Sequence, residues 1–385
     1  MKTQKRLGLL VISVAVIALG VVGSRFVFQT RESTTPSKAD QRILRAVRAI
    51  ERMPDRSEGY NQLASAYMQK ARETADFSFN EKAEDAVARS LEVEPDNYDA
   101  LKLRGKLQLT YHRFSEALGT ARRAQTVRND DHDVWGQITD ALVELGDYEG
   151  AIRAAQTMVD LRPDSSSYAR VSYLRSLHGD THGAIQAMTA AVKAANPNDP
   201  EAIAWCRVQL GNELMNAGRL DEAEREFDEA LRVFADHPLA LRGKAEARVA
   251  AGDLHGAIEI CDRDYGSADA AQMLGDLYTR MGHHDAARRE YEKFETLERE
   301  NAVVERSWRH LVNYWLDHDR NLEQALALAT QEYEARKDIF TCDSLAWALF
   351  KNGRSAEAKK FMKEALRTGT KDVRINEHAR IINNS

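Results

Sequence analysis

Alanine returns at positions 83, 117, 151, 184, 223, 257, 287, 325 and 358, at spacings of 34, 34, 33, 39, 34, 30, 38 and 33 residues. A period of that length is too long for a single helix and too short for a domain. The chain is therefore a stack of like supersecondary units, each burying its apolar face on its neighbours. About twelve residues before seven of these alanines stands a second small residue: Gly105, Thr139, Ser172, Gly211, Ala245, Gly275 and Ala346. Small residues at that offset let two antiparallel helices cross closely, where a bulkier side chain would force the backbones apart.

About five residues before the Ala a glycine recurs (Gly146, Gly179, Gly218, Gly252, Gly282 and Gly353), supplying the left-handed residue that ends a first helix. Pro54, Pro95, Pro163, Pro197, Pro200 and Pro238 fall between units, where a missing amide donor costs nothing. Strand-like alternation is missing. These features predict an all-α, right-handed α-solenoid of about nine helix-turn-helix units over residues 57–370.

The grammar resembles the tetratricopeptide repeat. Trp135, Thr139, Leu142, Ala151, Ala155 and Pro163 carry the likeness in one unit, and Leu274, Gly275, Tyr278, Ala287, Tyr291 and Phe294 in another. The run from Asp343 to Thr370 is similar to the last repeat of bacterial proteins built wholly from such units. Ile43, Val47 and Ile50 at one end, and Ile375, Ala379 and Ile382 at the other, have the helical spacing of terminal caps. Departures from the period predict two helices longer by one turn each in the first unit, an Asp319–Asn321 turn in place of glycine, and long connections near 196–200 and 298–305.

Beyond residue 36 the chain carries 49 Lys/Arg against 59 Asp/Glu, a net of −10. Such a body offers no excess cation to release counterions, so nucleic acid is not the expected partner. No phosphate loop, dinucleotide fingerprint or nucleophile elbow occurs. His178 and His182 straddle a predicted turn, as do His283 and His284. Asn129–Asp133 lacks the glycine and closing glutamate of a calcium loop and reads as a helix cap. Cys206, Cys261 and Cys342 lie in different units and read as buried thiols. No catalytic residue, metal or cofactor is expected.

What remains is a surface. The resemblance implies a concave groove lined by fixed offsets of each first helix. Carried over, they give Asp99, Lys102 and Lys106; Asp133, Asp140 and Glu144; Tyr173; Trp205, Asn212 and Met215; Arg242 and Glu246; Asp269, Asp276 and Arg280; His310 and Tyr314; and Asp343, Trp347 and Phe350. Tyr173, Trp205, Asn212, Met215, Arg242, Tyr314, Trp347 and Phe350 form the candidate partner-binding set. The aromatics either anchor a protein or peptide partner or pack between units. A scaffold for protein–protein interaction follows from the first reading. A receptor for a peptide or small ligand is the alternative.

Residues 1–28 form a separate segment. Leu7 to Ser24 are eighteen consecutive uncharged residues, preceded by Lys2, Lys5 and Arg6 and followed by Arg25 and Arg31. That suits a signal-anchor with the N-terminus inside, which would tether the chain to a membrane by a single pass and put the repeats in the periplasm or outside the cell; a cleaved signal, releasing them, is the alternative. Residues 29–38 read as a flexible linker and 39–385 as the solenoid with its caps. An anchor predicts that protease added outside spheroplasts digests the repeats while the mature chain keeps its first residues. An N-terminus beyond Gly20 would make the segment a cleaved signal, and protection of the repeats would overturn the topology.

Overall fold

The computed structural model describes residues 37–384 apart from 75, 77, 265 and 306. Among them nine helix pairs follow one another: α2–α3 (Ser57–Thr74, Ser78–Val93), α4–α5 (Tyr98–Thr110, Phe114–Val127), α6–α7 (His132–Glu144, Tyr148–Leu161), α8–α9 (Ser165–Leu177, Thr181–Ala194) and α10–α11 (Pro200–Asn216, Leu220–Val233). The rest are α12–α13 (Pro238–Ala250, Leu254–Cys261), α14–α15 (Ala268–Arg280, His284–Glu305), α16–α17 (Arg309–Asp317, Leu322–Ala335) and α18–α19 (Ile339–Lys351, Ser355–Ala365). Single helices α1 (Lys38–Arg52) and α20 (Val373–Asn383) stand at the two ends. This is the all-α solenoid expected from the period.

The periodic residues do the work assigned to them. All nine repeated alanines are buried, eight of them fully. Opposite them, Thr139, Ser172, Ala245 and Ala346 are buried too. The Ser172 hydroxyl donates to the Ala184 carbonyl at 2.8 Å, so the crossing of α8 and α9 is also a hydrogen bond. Each of the six turn glycines has φ between 72° and 85°. Where glycine is absent, Asp319 and Asn321 take positive φ themselves, as does His112 between α4 and α5.

Some boundaries differ from expectation. The first unit lengthens α2 to 18 residues and α3 only to 16, against 13 and 14 in the next pair. The extra residues near 298–305 are not a connection, because α15 runs unbroken for 22 residues. Lys38 belongs to α1 rather than to the linker, since Ser37 and Asp40 form a reciprocal capping box at the helix start. The apolar run Leu7–Ser24 lies outside the described residues. Among those described, no helix is long and apolar enough to cross a membrane.

The largest feature absent from the sequence reading is that the array meets itself. The segment after α17 docks on the interhelical turn of the third unit, and the segment after α19 on that of the fourth. The Lys337 amide donates to the Glu144 carbonyl at 2.8 Å, and the Ile339 amide donates to the Tyr148 hydroxyl at 2.9 Å. The Arg336 guanidinium, 3% exposed, reaches Glu144 at 3.3 Å, pairs with Glu332, and lies over the Phe114 ring. Arg367 lies over Tyr148. The turn glycines take on a second duty here: a Cβ on Gly146 would fall 2.6 Å from the Lys337 carbonyl oxygen, and one on Gly179 2.7 Å from that of Gly369.

Burial works against the charge on Arg336, and Glu332, Asp338 and Glu144 more than offset it. Around them, burial first and then the Asp338 carboxylate raise the Glu144 carboxyl above its ordinary value. A carboxyl raised on folding favours the closed form at low pH, and that contribution is lost as pH rises through the raised value. Arg336→Ala strands three carboxylates and is expected to cost about 3–5 kcal/mol. Glu144→Gln should be near neutral at low pH and remove this fall in stability as pH rises. Thermal melts between pH 4 and 8 check both, and a mild effect of Arg336→Ala would show that the closure carries little of the fold.

Candidate functional site

Closure turns the concave side of the array into a hollow walled by first helices. Three cavities lie along it, of about 320, 650 and 830 Å³. The small and middle ones share Arg72, Asp140, Ser166 and Arg170; the middle and large ones share Tyr173. The shared wall residues place the three side by side along the first helices from α2 to α20.

The charged groove positions read from the sequence are largely there. Arg242, Glu246, Asp269, Asp276, Arg280, His310 and Asp343 line the large cavity, with Tyr173 at its border. Many of these charges are spent between units. Arg242 bridges Glu246 at 3.0 Å and Asp269 at 3.1 Å; Lys102 bridges Asp131 at 2.6 Å and Asp133 at 3.1 Å. Arg170 clamps Asp140 through two nitrogens at 2.8 and 2.6 Å. Apart from Arg242–Glu246, which lies within α12, each pair joins one first helix to the next or to its cap. Glu144 belongs to the closure instead. Burial raises the Asp276 carboxyl above its ordinary value, although the Tyr291 hydroxyl donates to it at 2.7 Å.

The aromatic set divides. Tyr173 and Trp205, 43% and 40% exposed, stand in the hollow with open faces. Tyr314 and Trp347 do not: they are 1% and 7% exposed. Tyr314 packs on Phe294 and Tyr291, and its hydroxyl accepts from Arg320 at 3.0 Å. Trp347 points away from the Ala346 crossing, but α20 covers it. Its ring stacks on His378 at 4.2 Å and 7° and on Phe350 at 5.3 Å, and its indole donates to Asp317 at 3.2 Å. Phe350 is accordingly half-buried against the core.

In α10 the hollow lies to one side of the expected stripe. Glu201, Trp205, Gln209 and Glu213 line it at steps of four. At about 100° per residue Glu213 stands about 80° to one side of Trp205, and Met215 about 80° to the other. Met215 consequently packs into the core around Phe227, and Asn212 is half-buried outside all three cavities. Sequence reasoning missed Gln209 and Glu213, whose signal is their spacing from Trp205.

The chemical candidates resolve into structural roles. Asp131 caps Asp133 and receives Lys102, while His132 lies 3.1 Å from Asp164. Of the described residues only this trio groups His and carboxylates closely enough for a metal ion, and helix caps and ion pairs already use it. Burial pushes the thiols up, Cys206 and Cys342 to about 11 and Cys261 to about 12, so thiolate chemistry is suppressed. His378 holds Asp343 at 2.9 Å, both buried, as a tie between α20 and α18.

Family models for the tetratricopeptide repeat match residues 139–200, 208–271, 268–301 and 341–371. Those stretches thus match tetratricopeptide repeats, a fold that generally mediates protein–protein interaction and is typically non-catalytic. No curated protein sequence matches it. Among solved structures it is similar to a chain of the APC/C hetero-tetramer Cut9–Hcn1, at 15% identity and TM-score 0.50, covering 89% of this chain and 66% of that one. It therefore spans just under two thirds of that longer chain. It is also similar to the human IFIT1 dimer with m7Gppp-AAAA, at 13% identity and TM-score 0.55, covering 85% and 77%. A tetratricopeptide repeat protein from Parabacteroides merdae aligns at 17% identity and TM-score 0.46, over 63% and 96%. At such identities the likeness is one of fold.

The burial contrast sets a test. Truncating Trp347 or Tyr314 to Ala should cost about 3–5 kcal/mol of stability, as for interior aromatics. Trp205→Ala should cost under about 1 kcal/mol, as for a surface position. Denaturant titration of the three variants measures both, and a silent Trp347→Ala would return that residue to the groove.

Proposed function

We propose that the chain is an interaction scaffold that holds a protein partner through a polypeptide segment threaded into its hollow. The observation that carries this reading is the row of three adjoining cavities, with Tyr173 and Trp205 exposed inside. A hollow that runs past seven or more first helices suits an extended chain better than a compact metabolite. Exposed aromatics within it provide contact area at low entropic cost.

Membrane tethering belongs to the same proposal. It rests on the Leu7–Ser24 run and its flanking charges, which would display the repeats outside the cytoplasm. The receptor alternative draws support from the 830 Å³ volume, within the range of small-molecule sites. A photo-crosslinking residue at Tyr173, compared with one at outward-facing Ile152, separates these readings. Capture of a protein through position 173 and not 152 is the expected outcome. Equal capture from both positions would reject the hollow, and a small molecule released from purified protein on denaturation would favour the receptor.

A further inference from the structure

The middle cavity differs from its neighbours in what its charges lack. Asp140 and Arg170 cancel each other, and Asp199 caps the Ala202 amide at 3.1 Å. Glu201 makes no hydrogen bond or ion pair among the described residues. Glu213 is held only by neutral groups, with the Ser176 hydroxyl donating to it at 3.0 Å and Asn216 beside it. The only other cation on the wall, Arg72, sits where this cavity meets the small one. Setting the cancelled pair aside, Asp199, Glu201 and Glu213 stand against Arg72, a net of −2.

Three further features lie on the same wall. Trp205 stands between the two unpaired carboxylates, one helical turn after Glu201 and two turns before Glu213, with its indole 40% exposed. The same wall carries apolar Ala169, Met188, Ala202 and Cys206. His237, 7% exposed, lines the cavity with an Nδ1 that has no hydrogen-bond partner. An indole face with carboxylates on either side is the arrangement that receives a cation, because the ring quadrupole and the carboxylates act with the same sign.

We propose that the middle cavity selects a basic segment: one Lys or Arg side chain lies on the face of Trp205 with its charge met by Glu201, and a second is met by Glu213. This rests on reading the hollow as a polypeptide site. The spacing follows from helix geometry. Glu201 and Glu213 are twelve residues apart on one helix, about 18 Å along its axis, which an extended chain spans in about five residues. Burial raises the Glu213 carboxyl above its ordinary value, and a cation beside it would bring it back down.

The test is calorimetry of the full chain at low salt with three acetylated, amidated alanine–serine octapeptides, carrying two Arg, two Gln or two Glu five positions apart. The Arg peptide should bind saturably. Its affinity should fall at least about five-fold with Glu201→Gln and with Glu213→Gln, about ten-fold with Trp205→Ala, and steeply with added salt, while Glu149→Gln, exposed on α7 outside the three cavities, leaves it unchanged. Glu201 and Trp205 are exposed, so circular dichroism should show these variants folded. Failure of the Arg peptide to bind, or equal binding of all three, overturns the basic selection. Binding of the Gln or Glu peptide lost on Tyr173→Ala would keep the hollow as a polypeptide site while rejecting the cation preference, and loss of position-specific crosslinking at Tyr173 would reject the site itself.

Discussion

The architecture depends on one buried guanidinium. Arg336 gathers Glu144, Glu332 and Asp338 and covers Phe114, so that a segment 192 residues further along the chain lies fixed on the turn after α6. Without that contact the first helices would line an open trough. With it they enclose a hollow, and Tyr173 ends up facing Arg242, Arg309 and Phe340 across one cavity. Buried ion pairs are poor sources of net stability, since desolvation consumes much of their Coulombic gain. Their use here is register: a five-donor fork among three carboxylates accepts few other alignments.

The repeat itself was plainly legible. Alanine and glycine at fixed offsets are steric requirements of every unit, so they recur and can be counted. Closure left no such trace. Glu144 and Arg336 are ordinary surface-type residues in their own units, and nothing periodic links them. The glycines show the difference well: Gly146 and Gly179 look like Gly218 and Gly252 in sequence, yet only the first two have another unit's backbone pressed against them.

Cavity-lining positions were legible on most regular helices, and two aromatics were misplaced where neighbouring elements cover them. Arg242, Asp269, Asp276 and Arg280 sit on regular helices whose offsets hold. Tyr314 sits on α16, only nine residues long, where neighbouring α15 brings Tyr291 and Phe294 onto it. Trp347 has the expected direction, but the C-terminal cap occupies the space in front of it through His378. A cap inferred from three apolar positions carries no statement of which neighbour it covers. In α10, Met215 went astray because a stripe of offsets resolves a helix face only to within about a quarter turn.

Self-docking also changes what kind of polymer this is. An open solenoid tolerates gain or loss of a repeat, since each unit answers only to its neighbours. Here the turns at Gly146 and Gly179 must arrive opposite Lys337 and Gly369, so the units between them cannot change in number without carrying the two docking surfaces past each other. The repeat count is thereby fixed by geometry. Duplication, the ordinary way such arrays grow, is closed to the stretch between α8 and α18, and new length can be added only outside it.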